Sequence, residues 1–122
     1  MTVHQKKSRR KLTGGIKKKN KKSRRYSRGS DAIHTRIGKK VIKIKRGRGG
    51  IIKRKLLSEQ YANIINVGKA KILNVVENKA NIHYIRMNVL TKGAVIKTDK
   101  GTATITNRPA HEGFVCAKLI EK

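Results

Sequence analysis

Apolar residues along this chain are spaced in two ways, and the change falls near residue 37. Before it, Val3, Leu12, Ile16, Tyr26 and Ile33 do not keep up a three- or four-residue spacing, so no amphipathic helix is written there. After it come short runs rich in β-branched residues, separated by Gly, Asn and Asp. Ile42 and Ile44 alternate with Lys43 and Lys45, which predicts a half-buried strand with a basic outer face. Gly47-Arg48-Gly49-Gly50 then predicts a turn, and Ile51 to Leu57 the returning strand.

Further along, Lys69 to Val76 predicts a strand closed by a turn at Glu77 to Asn81, and Ile82 to Met87 another, with Asn88 to Lys92 as a connector. The clearest hairpin joins Ala94 to Thr98 with Thr102 to Thr106, because Asp99-Lys100-Gly101 supplies turn chemistry between β-branched arms. Asn107 to Gly113, with the only proline at 109, predicts a loop, and Phe114 to Ile120 a closing strand. Residues 57 to 65 carry both signals: Leu57, Tyr61, Ile64 and Ile65 fit helical spacing, but the β-rich surroundings favour strand, which is the reading we adopt. The expected fold is all-β: a small antiparallel β-barrel of about six strands over residues 37–122, with a long basic N-terminal extension over residues 1–36.

Composition sharpens that division. Of the 44 hydrophobic residues, 37 lie in residues 37–122, so only that segment can build a core. Residues 1–30 hold thirteen Lys or Arg and no Asp or Glu; residues 1–55 carry 23 cations against the single acid Asp31, and residues 56–122 carry 10 against five. These sum to the net +27. Self-repulsion of that size opposes a compact state unless a polyanion is present, and the extension alone cannot offset its own ordering entropy. Nucleic acid is the expected partner.

The extension offers its cations in clusters: Lys6-Lys7, Arg9-Arg10-Lys11, Lys17-Lys18-Lys19, Lys21-Lys22, Arg24-Arg25 and Arg28. Glycines, among them Gly14 and Gly15, let the backbone bend and approach phosphate, while Arg binds phosphate bidentately and Lys acts as a point charge. With four aromatic residues in the chain, base stacking cannot be the main device. Tyr26, inside the extension, is the candidate stacker, and Tyr61, Tyr84 and Phe114 are expected in the core. Lys53 and Arg54 join the candidate set from the hairpin; whether Lys43, Lys45 and Lys53 face a partner or water stays open.

Catalysis finds little support. His4, His34, His83 and His111 are not at ligand spacing, no CxxC exists, and the six carboxylates are scattered, so neither a metal nor a cofactor is expected. The lone Cys116 excludes an internal disulfide and is expected as a buried thiol. The glycine-rich turn at 47–50 lacks the GxxxxGK[ST] pattern of a nucleotide loop. No apolar run of about 20 residues is present, so no membrane association is expected. No small-molecule substrate is expected either, and the location expected is cytoplasmic.

Several ordered motifs carry a resemblance. Ser8-Arg9-Arg10-Lys11-Leu12-Thr13-Gly14-Gly15, His34-Thr35-Arg36-Ile37-Gly38 and Arg46-Gly47-Arg48-Gly49-Gly50 are followed by Val75-Val76-Glu77-Asn78, Asn88 to Ala94, and Asn107-Arg108-Pro109. The set resembles the eukaryote-type ribosomal protein eight of the small subunit, in its short archaeal form, over nearly the whole chain. The resemblance implies a non-catalytic constituent of the small ribosomal subunit that contacts small-subunit ribosomal RNA and neighbouring ribosomal proteins. RNA-facing motifs would fall on Arg9, Arg10, Lys11, Gly14 and Gly15 and on Arg46, Arg48, Gly49 and Gly50; His34 and Arg36 are counted with the candidate RNA-binding residues. Leu12 departs from the family pattern, which has Pro before Thr-Gly-Gly; Pro would fix φ there. The rival class is a general nucleic-acid-binding or DNA-compacting protein, which net charge cannot separate from an RNA binder.

Overall fold

Alternation of apolar and polar residues does build strands from residue 36 onward, but they divide into two sheets. A computed structural model of the chain describes residues 8–18, 22, 24 and 29–120. The chain separates into two units, Met1–Ala32 and Ile33–Lys122. In the second, strands β1 (Arg36–Ile37), β2 (Val41–Arg46), β3 (Ile52–Glu59), β4 (Tyr61–Ile64) and β5 (Gly68–Glu77) are followed by a helical turn α1 (His83–Arg86). Strands β6 (Val95–Thr98) and β7 (Gly101–Ile105), a second turn α2 (Pro109–Glu112) and β8 (Cys116–Leu119) complete it.

Strands β4-β5-β6-β7-β8 close into a barrel. Four of its pairings are antiparallel, and the closing pair, β4 with β8, is parallel. The all-β barrel expected from the pattern is therefore present, with five strands around it and a separate sheet β1-β3-β2 beside them. The interior explains how so few strands can close: Ala62, Ala70, Ala94, Ala103 and Ala117 are buried among Ile72, Val75, Ile96 and Ile105, and small side chains suit a narrow lumen. Leu56 of β3, with Leu90 and Val115, completes the core.

β5 shows how closure is achieved. Its pairing with β6 shifts twice, so that Leu73 and Val76 have no partner across the ladder. Such bulges bend a strand and raise its twist. They also shift alternation: Leu73 already faces outward after buried Ile72, and the shift that buries Val75 turns Val76 outward, so both are about half exposed, at 51% and 50%.

Residues 57–65 are strand rather than helix, as expected, in two pieces: β3 ends at Glu59, Gln60 breaks the run, and β4 turns into the barrel. Other elements depart from the sequence expectation. Ile82 to Met87 is not a strand but contains α1. Asn81 Oδ1 accepts the His83 N–H at 2.9 Å, and Asn88 ends the turn in a left-handed conformation, φ 50°. Local Asn hydrogen bonding of this kind overrides the β preference of Ile and Tyr. The 107–113 loop contains α2, with Pro109 at its start and left-handed Gly113 (φ 83°) at its end.

Side-chain hydrogen bonds seal the joints. Asn78, buried, donates from Nδ2 to the Val89 carbonyl and accepts from Ala80 N–H and Thr91 Oγ1. Thr35 Oγ1 donates to the Leu56 carbonyl at 2.8 Å, and the Thr35 carbonyl accepts the Leu90 N–H. Asn107 Nδ2 donates to Glu112 Oε2 and to the Phe114 carbonyl, both at 2.9 Å, while its Oδ1 accepts the Cys116 N–H. The Val-Val-Glu-Asn and Asn-Arg-Pro motifs thus owe their asparagines to loop anchoring.

Candidate nucleic-acid interface

Lysine alternation in β2 and β3 becomes a site only through register. Lys43 pairs with Lys55 and Lys45 with Lys53, while Ile42 pairs with Leu56, Ile44 with Arg54 and Arg46 with Ile52. Directly paired residues share a face, so one side of the ribbon carries four lysines and the other carries Ile42, Ile44 and Ile52 with Arg46 and Arg54. Leu56, on the second side, is buried in the core. Beyond Leu56 the second side is open as well: Ile44 and Ile52 are 66% and 64% exposed, so the half-buried strand expected at Ile42 to Lys45 is corrected to one exposed on both faces, with Lys43, Lys45 and Lys53 all exposed. Like charges directly opposite each other destabilise a bare ribbon. Lys55, half-buried at the base, and the pairing itself were not foreseen; lysines at every second position in both arms were the visible signal.

At the ribbon's tip Gly47 N–H donates to the Ile51 carbonyl at 2.7 Å. Between them, Gly49 and Gly50 take left-handed φ values of 71° and 77°. A side chain at either would be strained, which is why this turn needs glycine. Arg46 and Arg48 stand exposed at either end of it.

In the first unit, residues 9–17 form a small hairpin. Lys11 N–H donates to the Gly15 carbonyl, Gly14 N–H to the Lys11 carbonyl, and Lys17 N–H to the Arg9 carbonyl. Leu12 and Thr13 are the central turn residues, and left-handed Gly14, φ 83°, follows, the usual arrangement for a three-residue hairpin loop. The Leu12 departure is thereby accounted for: position i+1 of such a turn favours Pro but accepts most residues. Arg10 folds back, its Nη1 donating to the Gly14 carbonyl at 2.8 Å. Arg9, Lys11, Lys17, Lys18, Lys22 and Arg24 are exposed. Lys6, Lys7, Lys19, Lys21, Arg25, Tyr26 and Arg28 lie outside the described residues.

His34 and Arg36, both exposed, flank buried Thr35; the His34 ring meets Tyr84 with centroids 5.2 Å apart. The aromatic expectation is corrected: Tyr61 and Phe114 are 39% and 42% exposed, and Tyr84 is only half-buried. Strand alternation turns Tyr61 outward because Ala62 and Ile64 point in. Cys116, expected buried, is half-buried for the same reason, its neighbour Ala117 facing the lumen.

Among the described residues no group of three or more His, Cys, Asp or Glu is placed to hold a metal ion, and no helix is long and apolar enough to cross a membrane. Glu112 sits below the ordinary carboxylate range because Asn107 and the Arg108 N–H hydrogen-bond it, which is a loop device and not acid–base machinery.

A closed barrel with a cation-faced ribbon and an arginine-lysine hairpin defines a small, strongly basic β-barrel protein. The family model for ribosomal protein S8e matches residues 4–120. The chain is 43% identical to the small ribosomal subunit protein eS8 of Methanococcus aeolicus and 38% identical to that of Sulfolobus acidocaldarius, with the full length of both chains covered in each case. It is 37% identical to the eS8 of Nanoarchaeum equitans over 90% of this chain and 91% of that one. The chain belongs to the ribosomal protein S8e family, whose members are ribosomal components and not enzymes.

Proposed function

We propose that this protein is a structural constituent of the small ribosomal subunit, in the cytoplasm, that binds and stabilises small-subunit ribosomal RNA. The observation that carries the RNA contact is the lysine face of the β2–β3 ribbon, where Lys43 meets Lys55 and Lys45 meets Lys53. Self-opposed lysines on a projecting ribbon favour a ligand that supplies closely spaced anions on one side, as a nucleic-acid backbone does. Lys53 acts on that face, Arg46 and Arg54 on the ribbon's other side, and Arg48, Gly49 and Gly50 at its tip. His34 and Arg36 contact RNA beside β1.

The basic segment before Ile33, within the extension expected over residues 1–36, is a second RNA contact ordered by its target. In it Arg9, Lys11 and the clusters from Lys17 to Arg28 supply charge, and the Arg10–Gly14 hydrogen bond supports this by presetting the loop. Other small-subunit proteins are its neighbours, as the relatives' naming supports.

Crosslinking in native small subunits tests this directly: contacts from Arg9 to Arg28 and from Arg46 to Lys55 should map onto ribosomal RNA nucleotides. A general DNA-compacting role would instead give equal affinity for duplex DNA and ribosomal RNA fragments at one salt concentration.

A further inference from the structure

The barrel's outer face at β8, β4 and β5 holds the exposed aromatics that neither the extension nor the ribbon uses. Asn63 pairs with Cys116 across β4 and β8, and Tyr61 with Lys71 and Asn63 with Lys69 across β4 and β5. Alternation places Phe114, Tyr61, Asn63, Lys69 and Lys71 on the same outward side. Lys69 Nζ lies over the Tyr61 ring, 4.2 Å from its centroid. Tyr61, Phe114, Asn63, Lys69, Lys40 and Glu59 line an open cleft of about 370 Å³, a size suited to a small planar ligand.

The cleft is built, not loose. The Val115 carbonyl accepts the Asn63 N–H at 2.8 Å, and Asn107 holds the Phe114 carbonyl at 2.9 Å. Its one acid is already engaged: Glu59 Oε2 pairs with Lys40 Nζ at 2.8 Å, and Oε1 accepts the Gln60 and Tyr61 N–H groups. What remains unmatched is the Phe114 ring and the part of the Tyr61 ring that Lys69 Nζ does not cover, an amide and lysine charge. An apolar protein segment would leave those lysines uncompensated, whereas a nucleotide uses all three features.

We propose that this cleft takes an unpaired RNA base, stacked on Tyr61 and Phe114, with Asn63 at the base edge and Lys69 and Lys71 at the flanking phosphates. This rests on the RNA-binding reading above and adds a contact of different chemistry. Stacking platforms with nearby cations recognise single strands with little sequence preference.

The test uses the full-length chain with a single-stranded RNA pentamer carrying 5-iodouridine, and a duplex RNA as control. Photocrosslinks should fall on Tyr61 or Phe114. Stacking contributes about 1–3 kcal/mol per base, so Tyr61→Leu and Phe114→Leu should each weaken pentamer binding by roughly 5- to 150-fold. The salt slope and duplex affinity should stay unchanged. Crosslinks confined to other residues, or equal losses for pentamer and duplex, would overturn the proposal. If a leucine variant melts early, the wild-type crosslink position decides. A chain that binds neither RNA refutes the RNA reading as well; one that binds both, with the two aromatics irrelevant, refutes the base cleft alone.

Discussion

Replacing Lys45 and Lys53 together by Gln should make the free protein more stable and its RNA complex weaker, because the two effects have opposite electrostatic sign. The pair is directly opposed in the ribbon and exposed. Cβ atoms of such a pair are about 5 Å apart, but the stems splay, so roughly 8 Å between ammonium groups is a fair working separation. In water that separation gives about 0.5 kcal/mol of repulsion, falling to about 0.2 kcal/mol at physiological ionic strength. With the diagonal terms to Lys43 and Lys55, relief at low salt should be of order 0.5–1 kcal/mol. For a folded unit of this size that raises Tm by roughly 2–6 °C.

Bound to RNA, the same two cations release counterions. Their loss should make the slope of log K against log salt shallower by about 1.4 for single-stranded and 1.8 for duplex targets. Thermal melting by circular dichroism at two salt concentrations, with fluorescence anisotropy over a salt series, reads both quantities. A lower Tm in the variant, or an unchanged slope beside an unchanged affinity, would refute the ribbon as a phosphate-binding face.

Three other outcomes follow from the packing. Asn107→Ala removes the donor to Glu112 and Phe114 and the acceptor for Cys116, and should lower stability by about 1–3 kcal/mol in urea titration; a neutral result would mean that water replaces all three bonds. Leu56→Ala, at a fully buried position joining β3 to the barrel core, should cost about 2–5 kcal/mol by the same measurement. Glu112 has a depressed folded pKa, so its stabilising contribution is complete above its ordinary value of roughly 4.3 and fades as pH falls through the lower folded value. Glu112→Gln should therefore melt below wild type at neutral pH and converge with it in acid, and a gap that persists in acid would contradict the assignment.

Much of this protein was legible in one dimension. Apolar alternation and turn residues such as Asp99 located most strands because side-chain period and turn chemistry are local properties. The uneven charge needed no fold to imply a polyanion, and the order of short motifs across the chain pointed to its family. Around Ile82 to Met87 the same logic failed, since local hydrogen bonds from Asn81 outweighed β propensity.

What the sequence by itself determined is thus the β class, the place of the core and the sign of the partner. Pairing was decided only by tertiary structure. Nothing in the order of residues says that Lys45 faces Lys53, that a bulge turns Val76 outward, or that a parallel β4–β8 pair closes the barrel and brings Tyr61 alongside Phe114. Those facts depend on register and closure between segments far apart in the chain, and one residue of slip would exchange the faces.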